Sequence, residues 1–229
     1  METFERYAVY YAPEPGPLAS FAAGWLGWDP ASGTCPEPVA VEGLPRPRAA
    51  LTEEPRRYGF HGTLKPPFRL AAGSSRAALE DDLAGLATGL AAAGADGLAL
   101  TRIGGFLALT PDGDSRAIAR VAAEVVAGLD RHRAPAPPEE IARRRATGLS
   151  PRQEAHLAHW GYPYVMDEFR FHLTLTGKLA PDEAGAVEAA LAPHLAPLLP
   201  RPFRLADLCL FGEDAERRFH LIARFPLTG

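Results

Sequence analysis

Lysine is almost missing from this chain of 229 residues: only Lys65 and Lys178 occur. Cysteine is nearly as rare, with Cys35 and Cys209 far apart. That spacing suits neither a disulfide framework nor a thiolate zinc site, so each is read as an inert thiol. No run approaches the about 18 apolar residues of a membrane span. Met1 to Tyr10 also lacks the charged start, apolar stretch and small-residue cleavage site of a leader. The expected location is therefore cytoplasmic, with no membrane partner. Positive charge is not in excess either: the formal net charge is −4 and the pI about 6.0. Long nucleic acid, which binds through counterion release, is not an expected partner, whereas one phosphate needs only a few local donors.

What remains is the balance of an ordinary globular chain, 47% hydrophobic and 23% charged, long enough to bury its own core. The alternation of Tyr and Val over Arg6 to Ala12 predicts a first strand, and Leu18 to Leu26 a short helix. Asp29 to Arg48 is proline-rich and reads as a long surface loop. Tyr58 to Leu64 reads as a strand stopped by Pro66 and Pro67. Ser75 caps a helix through Leu90, strands follow at Leu98 to Ile103 and Phe106 to Leu109, and Ser115 to Leu129 is amphipathic.

Beyond the proline-rich stretch at Ala134 to Pro138, a charged helix carries Arg143, Arg144 and Arg145. Ser150 and Pro151 open another helix through Trp160. Phe169 to Thr176 gives the clearest strand pattern, followed by a helix over Pro181 to Leu195. Strands at Phe203 to Phe211 and Arg218 to Phe225 close the chain. The expected organisation is a single two-lobed unit over 1–229, with halves 1–135 and 136–229 and strands exchanged between them.

The informative feature is a repeat. Tyr58-Gly-Phe-His61-Gly-Thr63-Leu64 returns as Phe169-Arg-Phe-His172-Leu-Thr174-Leu175, 111 residues later. With 7 His and 11 Thr in the chain, chance supplies roughly a third of one His-x-Thr, so two with matching flanks indicate duplication. Strand parity puts Arg170, His172, Thr174 and Thr176 on one face, and Arg57, His61 and Thr63 on the equivalent one. If a pseudo-two-fold axis brings these faces together, two imidazoles flank one ligand. In-line displacement at phosphorus needs a base on the attacking side and an acid on the leaving side. Histidine, with an ordinary pKa of about 6.5, serves for both. A hydroxyl two residues beyond each His, roughly 6 to 7 Å along the strand, can donate to a non-bridging oxygen. Which histidine is acid and which base stays open.

At His61-Gly-Thr63-Leu and His172-Leu-Thr174-Leu the chain resembles the two-histidine (2H) phosphoesterase superfamily, marked by paired H-x-[ST]-x motifs. It includes RNA 2′-5′ ligase-like proteins and cyclic nucleotide phosphodiesterases. RRYGFHGTLKPPF, GGFLAL, GYPYVMDEFRFHLTLTGKL and LCLFGE look like a branch encoded beside bacterial phosphonate-utilisation genes. The resemblance implies an α+β, bilobal, pseudo-two-fold duplicated fold, with mostly antiparallel sheets lining a central cleft and helices outside. It also implies no catalytic metal and no cofactor. The implied activity is cyclic phosphodiester hydrolysis, on a substrate such as a ribose cyclic phosphate formed during phosphonate breakdown.

The expected catalytic residues are thus His61, Thr63, His172 and Thr174. Arg170, Lys65, Lys178, Arg57, Tyr7 and Tyr11 are candidates for substrate binding. His156 and His159 have no third ligand at a recognised metal spacing. Other readings are processing of RNA ends, through 2′,3′-cyclic termini or 2′-5′ linkages, and a non-catalytic module that binds a phosphorylated metabolite. Short RNA remains an admissible partner, and a monomer is the expected state.

Overall fold

The computed structural model describes residues 4–229. Its architecture is α+β, and every pairing among the named strands is antiparallel. In chain order the elements are β1 (Arg6–Tyr11), α1 (Pro17–Leu26), α2 (Arg48–Leu51), β2 (Gly62–Phe68), α3 (Arg76–Thr88), β3 (Ala93–Ala95), β4 (Gly97–Ile103) and β5 (Phe106–Asp112). They continue with α4 (Arg116–Gly128), α5 (Pro138–Arg145), α6 (Pro151–Trp160), β6 (Leu173–Thr174), α7 (Glu183–Leu195), β7 (Phe203–Leu205), β8 (Asp207–Glu213) and β9 (Phe219–Pro226).

Seven strands form one sheet in the order β4-β5-β6-β2-β1-β8-β9, and β3 pairs with β7 apart from it. The order is informative because the two His-x-Thr strands, β2 and β6, are central neighbours. The hairpin that follows β2 in sequence, β4–β5, pairs with β6. The hairpin that follows β6, β8–β9, sits beyond β1 on the β2 side.

Helices α1, α3, α4 and α7 cover one sheet face. Trp25, Leu83, Val125 and Leu191 meet Tyr7, Val9 and Tyr11 there in a single large cluster. Fully burying each such aliphatic or aromatic side chain is worth about 1.5–3 kcal/mol, which is what fixes the helices to the sheet. The opposite face of β1 carries Ala8, Tyr10 and Ala12 in a smaller cluster with Phe211 and Phe219. Buried on both faces, β1 cannot reveal from its own sequence which side adjoins a site.

Two sequence expectations are corrected. Pro66 and Pro67 do not end β2: two steps along β1, from Tyr7 to Val9, are matched by three along β2, from Phe68 to Lys65. The prolines lie in that irregular stretch, where missing N–H donors cost the ladder nothing. In the second motif only Leu173 and Thr174 form a ladder, while Phe169 to His172 is irregular backbone. The short β3, and the separation of β7 from β8, had no alternation by which to read them.

Candidate active site

The register between the motif strands is Gly62 opposite Leu173. In an antiparallel pair the flanking positions follow, so His61 lies across from Thr174 and Thr63 across from His172. Gly62 and Leu173 point to the core face, and the four polar residues share the other. The two histidines are diagonal neighbours, roughly 7 to 8 Å apart at their backbones. Gly62 is required by packing, because a Cβ there would stand 2.5 Å from the Phe171 ring.

The two imidazoles are held in the same way. His61 Nδ1 donates to the Gly59 carbonyl at 3.0 Å, and His172 Nδ1 donates to the Arg170 carbonyl at 2.8 Å. Each carbonyl lies two residues upstream and fixes the Nδ1–H tautomer, so Nε2 is left to exchange protons. Gly59 makes this possible for His61: its φ is +69°, and a Cβ would press 2.5 Å from Pro30. Tyr10 stacks on His61 with ring centroids 4.0 Å apart, and Tyr58 lies 5.7 Å away. Phe106 stands 5.7 Å from His172.

Burial is the main cause that lowers the His61 pKa, to about 4; the Gly59 carbonyl opposes it, and the charge of His172 lowers it further. At neutral pH His61 is therefore an uncharged proton acceptor. The cleft in front of it has a volume of about 480 Å³. Thr63, Thr174, Lys178, Arg6, Arg144 and Tyr162 line it together with His61. Lys178 is exposed and has no carboxylate partner among the described residues, whereas Arg6 is paired to Glu213 and Arg144 to Glu140. The free positive charge facing an incoming anion is thus that of Lys178.

Residues 63–220 match the family described as DUF1045, a protein of unknown function. The chain belongs to the DUF1045 family. The matched span takes in Thr63, His172 and Thr174. This DUF1045 chain is 40% identical over 195 residues to the ribose 1,5-bisphosphate phosphokinase PhnN of Janthinobacterium sp. (strain Marseille), covering 81% of the chain and 42% of that protein. It is 37% identical over 219 residues to the protein of the same name from Laribacter hongkongensis (strain HLHK9), covering 94% and 50%. The chain therefore spans half or less of the length of these relatives. Among solved structures, the crystal structure of E. coli LigT complexed with NADP+ aligns over 100% of both chains, with a TM-score of 0.44 and 14% identity.

Several residues expected to bind substrate lie elsewhere in the DUF1045 structure. Lys65 is 2% exposed and donates to the Val126 carbonyl at 2.9 Å, with Asp130 at 3.7 Å. The cause is a bulge: one step along β1, from Tyr10 to Val9, is matched by two along β2, from Thr63 to Lys65. The extra residue turns Lys65 toward the core with Val9. Tyr7 and Tyr11 are core residues of the same face. Arg57 belongs to a 3-10 turn, Pro55–Arg57, where strand parity does not apply, and it borders a different cavity. The Arg170 side chain is exposed, and neither it nor His172 is among the residues that line the cleft; the Arg170 carbonyl holds His172. Thr176 is buried and accepts from the Leu107 N–H at 3.0 Å, which ties the second motif to β5.

Tyr10, Tyr58, Phe106, Arg6, Arg144 and Tyr162 were not legible as a group. Only Arg144 left a signal, in the run Arg143 to Arg145, and its guanidinium lies 4.5 Å over the Tyr162 ring. His156 is bonded to Asp167 at 2.6 Å, and among the described residues no three His, Cys, Asp or Glu side chains are grouped to hold a metal ion. No helix among the described residues is long and apolar enough to cross a membrane.

Proposed function

We propose that this DUF1045 chain is a two-histidine phosphoesterase that opens a small cyclic phosphodiester without a metal ion. The observation that carries the reading is the pairing of Gly62 with Leu173, which makes the two His-x-Thr units neighbours. Residues 1–135 and 136–229 are read as the two copies, with their hairpins exchanged.

His61 is the base and His172 the acid. The depressed pKa of His61 supports that assignment, since a base must be unprotonated at the working pH. A water oxygen forms the new bond to phosphorus and passes its proton to His61 Nε2. The bond from phosphorus to the departing sugar oxygen breaks, and that oxygen takes a proton from His172 Nε2. Thr63 and Thr174 hydroxyls donate to the non-bridging oxygens, and Lys178 balances their charge. Exchange of the two rings' protons with water resets the pair.

The relatives' names point to a phosphorylated ribose as the substrate class, and a ribose cyclic phosphate fits a cleft of about 480 Å³. The chain has no G-x-x-x-x-G-K-[ST] loop, and the kinase activity named for the longer relatives is not proposed for it. A cytoplasmic, monomeric enzyme acting on a small molecule completes the reading. The test is a panel of ribose cyclic phosphates and 2′,3′-cyclic nucleotides, assayed with EDTA present. Ring opening that survives the chelator supports the proposal; no turnover of any cyclic phosphate overturns it.

A further inference from the structure

Among the cavities apart from the cleft is one of about 380 Å³, half of whose lining residues are arginines. Arg56 and Arg57 reach it from the 3-10 turn before His61, and Arg217 and Arg218 from the β8–β9 turn. Glu216 is the one carboxylate on its wall.

This concentration of charge is unlike the rest of the molecule. Several arginines elsewhere are neutralised, Arg133 by Asp130, Arg152 by Asp167 and Arg224 by Asp207, and ones unpaired among the described residues, such as Arg102, Arg170 and Arg204, are not gathered on one cavity wall. None of the four guanidinium groups in the cavity has a carboxylate partner among the described residues; the side-chain bonds of Arg56 and Arg218 run to neutral groups. Arg48 adds a fifth guanidinium close by, 3.2 Å from where a Gly27 Cβ would stand. Its pKa is lowered by burial and by the charge of Arg56.

Two of the groups are also held in place, those of Arg56 and Arg218. Arg56 donates to the Leu26 carbonyl at 3.0 Å and to the Ala49 carbonyl at 2.8 Å. Arg218 lies 4.7 Å over the Trp28 ring. Arg217 is held at φ 64°, a left-handed backbone that glycine or asparagine adopts with less strain. Four guanidinium groups gathered on one wall against the single carboxylate of Glu216 leave a net positive cavity for an external anion.

We propose that this cavity is a second anion site, taking the phosphate of a small phosphorylated metabolite, separate from the cleft that His61 lines. Its size admits a sugar phosphate, and Glu216 accepts a hydroxyl of that ligand. The 3-10 turn stands between the two sites: Pro55 and Tyr58 line the cleft, while Arg56 and Arg57 line the cavity. A phosphate gripped by these arginines stiffens the turn that leads to Gly59, whose carbonyl holds His61.

The experiment is isothermal titration of the full chain with inorganic pyrophosphate at fixed salt. Wild type, His61→Ala, Lys178→Ala, Arg217→Gly and the Arg57→Ala, Arg217→Gly double variant are compared. Glycine at 217 suits the local backbone, and circular dichroism confirms folding. The expected result is binding tighter than about 1 mM, kept in His61→Ala and Lys178→Ala and weakened at least about tenfold in the double variant. No binding by wild type in that range, or binding that survives in the double variant or disappears with the cleft variants, overturns the proposal. Because the readout is binding and not turnover, it stands or falls separately from the phosphoesterase reading.

Discussion

The Tyr10 ring lies against the His61 imidazole, with centroids 4.0 Å apart and planes 29° from parallel. Tyr10 is 1% exposed, so the contact both shields one face of the imidazole and sets its orientation. Tyr10→Ala should cost about 3–5 kcal/mol in urea unfolding, as for other buried aromatics. It should also raise the His61 pKa from about 4 toward the ordinary value, read from imidazole shifts in NMR. Tyr10→Phe keeps the stack and should leave that pKa unchanged.

The low His61 pKa makes a prediction about pH. The folded chain holds this ring neutral down to about 4, whereas the unfolded chain protonates it near about 6.5. Between those values the unfolded state binds more protons, so stability falls as pH drops from about 6.5 to about 4. Urea midpoints across that window should show the slope, and His61→Gln should flatten it. The acid limb of kcat/KM should fall in the same low range, since His61 must be unprotonated to accept a proton.

The two lysines separate cleanly. Burial brings the Lys65 pKa down to about 8, with Asp130 opposing. Its folded value lies below its unfolded one, so its contribution to stability is lost as pH falls through about 8. Lys65→Met should remove the rise in stability between pH about 8 and about 10 and leave kcat/KM within roughly threefold. Lys178→Met, in the cleft, should leave stability unchanged and lower kcat/KM roughly tenfold or more, by losing a charged contact to phosphate. Steady-state assays and urea titrations on the two variants decide this.

Gly62 carries the register. With Phe171 ring atoms 2.5 Å from where a Cβ would stand, Gly62→Ala should destabilise by about 1–3 kcal/mol. Adding Phe171→Leu should recover part of that loss, which a double-mutant cycle of unfolding free energies measures.

The lysine pair also shows where sequence reading reached its limit. His61, Thr63, His172 and Thr174 could be singled out because they recur with matched flanks, and the structure makes their strands neighbours; the helices were legible because Leu79, Leu83, Val121 and Val125 repeat at helical spacing. Lys65 was offered to the site because it follows His61 by four residues in a chain with one other lysine, and the bulge at Leu64, which no local pattern announces, turns it to the core. Tyr7 and Tyr11 were offered to the site in place of Tyr10 because β1 is apolar on both faces. Arg57 failed for a related reason: the turn before His61 is helical, so alternation had no meaning there. Contacts such as Tyr10 on His61, or Arg144 over Tyr162, depend on distant segments meeting and leave no trace in either segment alone.

Two imidazoles that act together on one phosphorus leave a signature in a kinetic cycle over both. Rates of cyclic-phosphate opening are measured, with EDTA present, for wild type, His61→Ala, His172→Ala and the double variant. The account expects each single variant to be at least about a hundredfold slower, and the double variant to be little slower than either, because the two groups serve one transition state. Full activity in either single variant, or losses that simply multiply in the double, would contradict it.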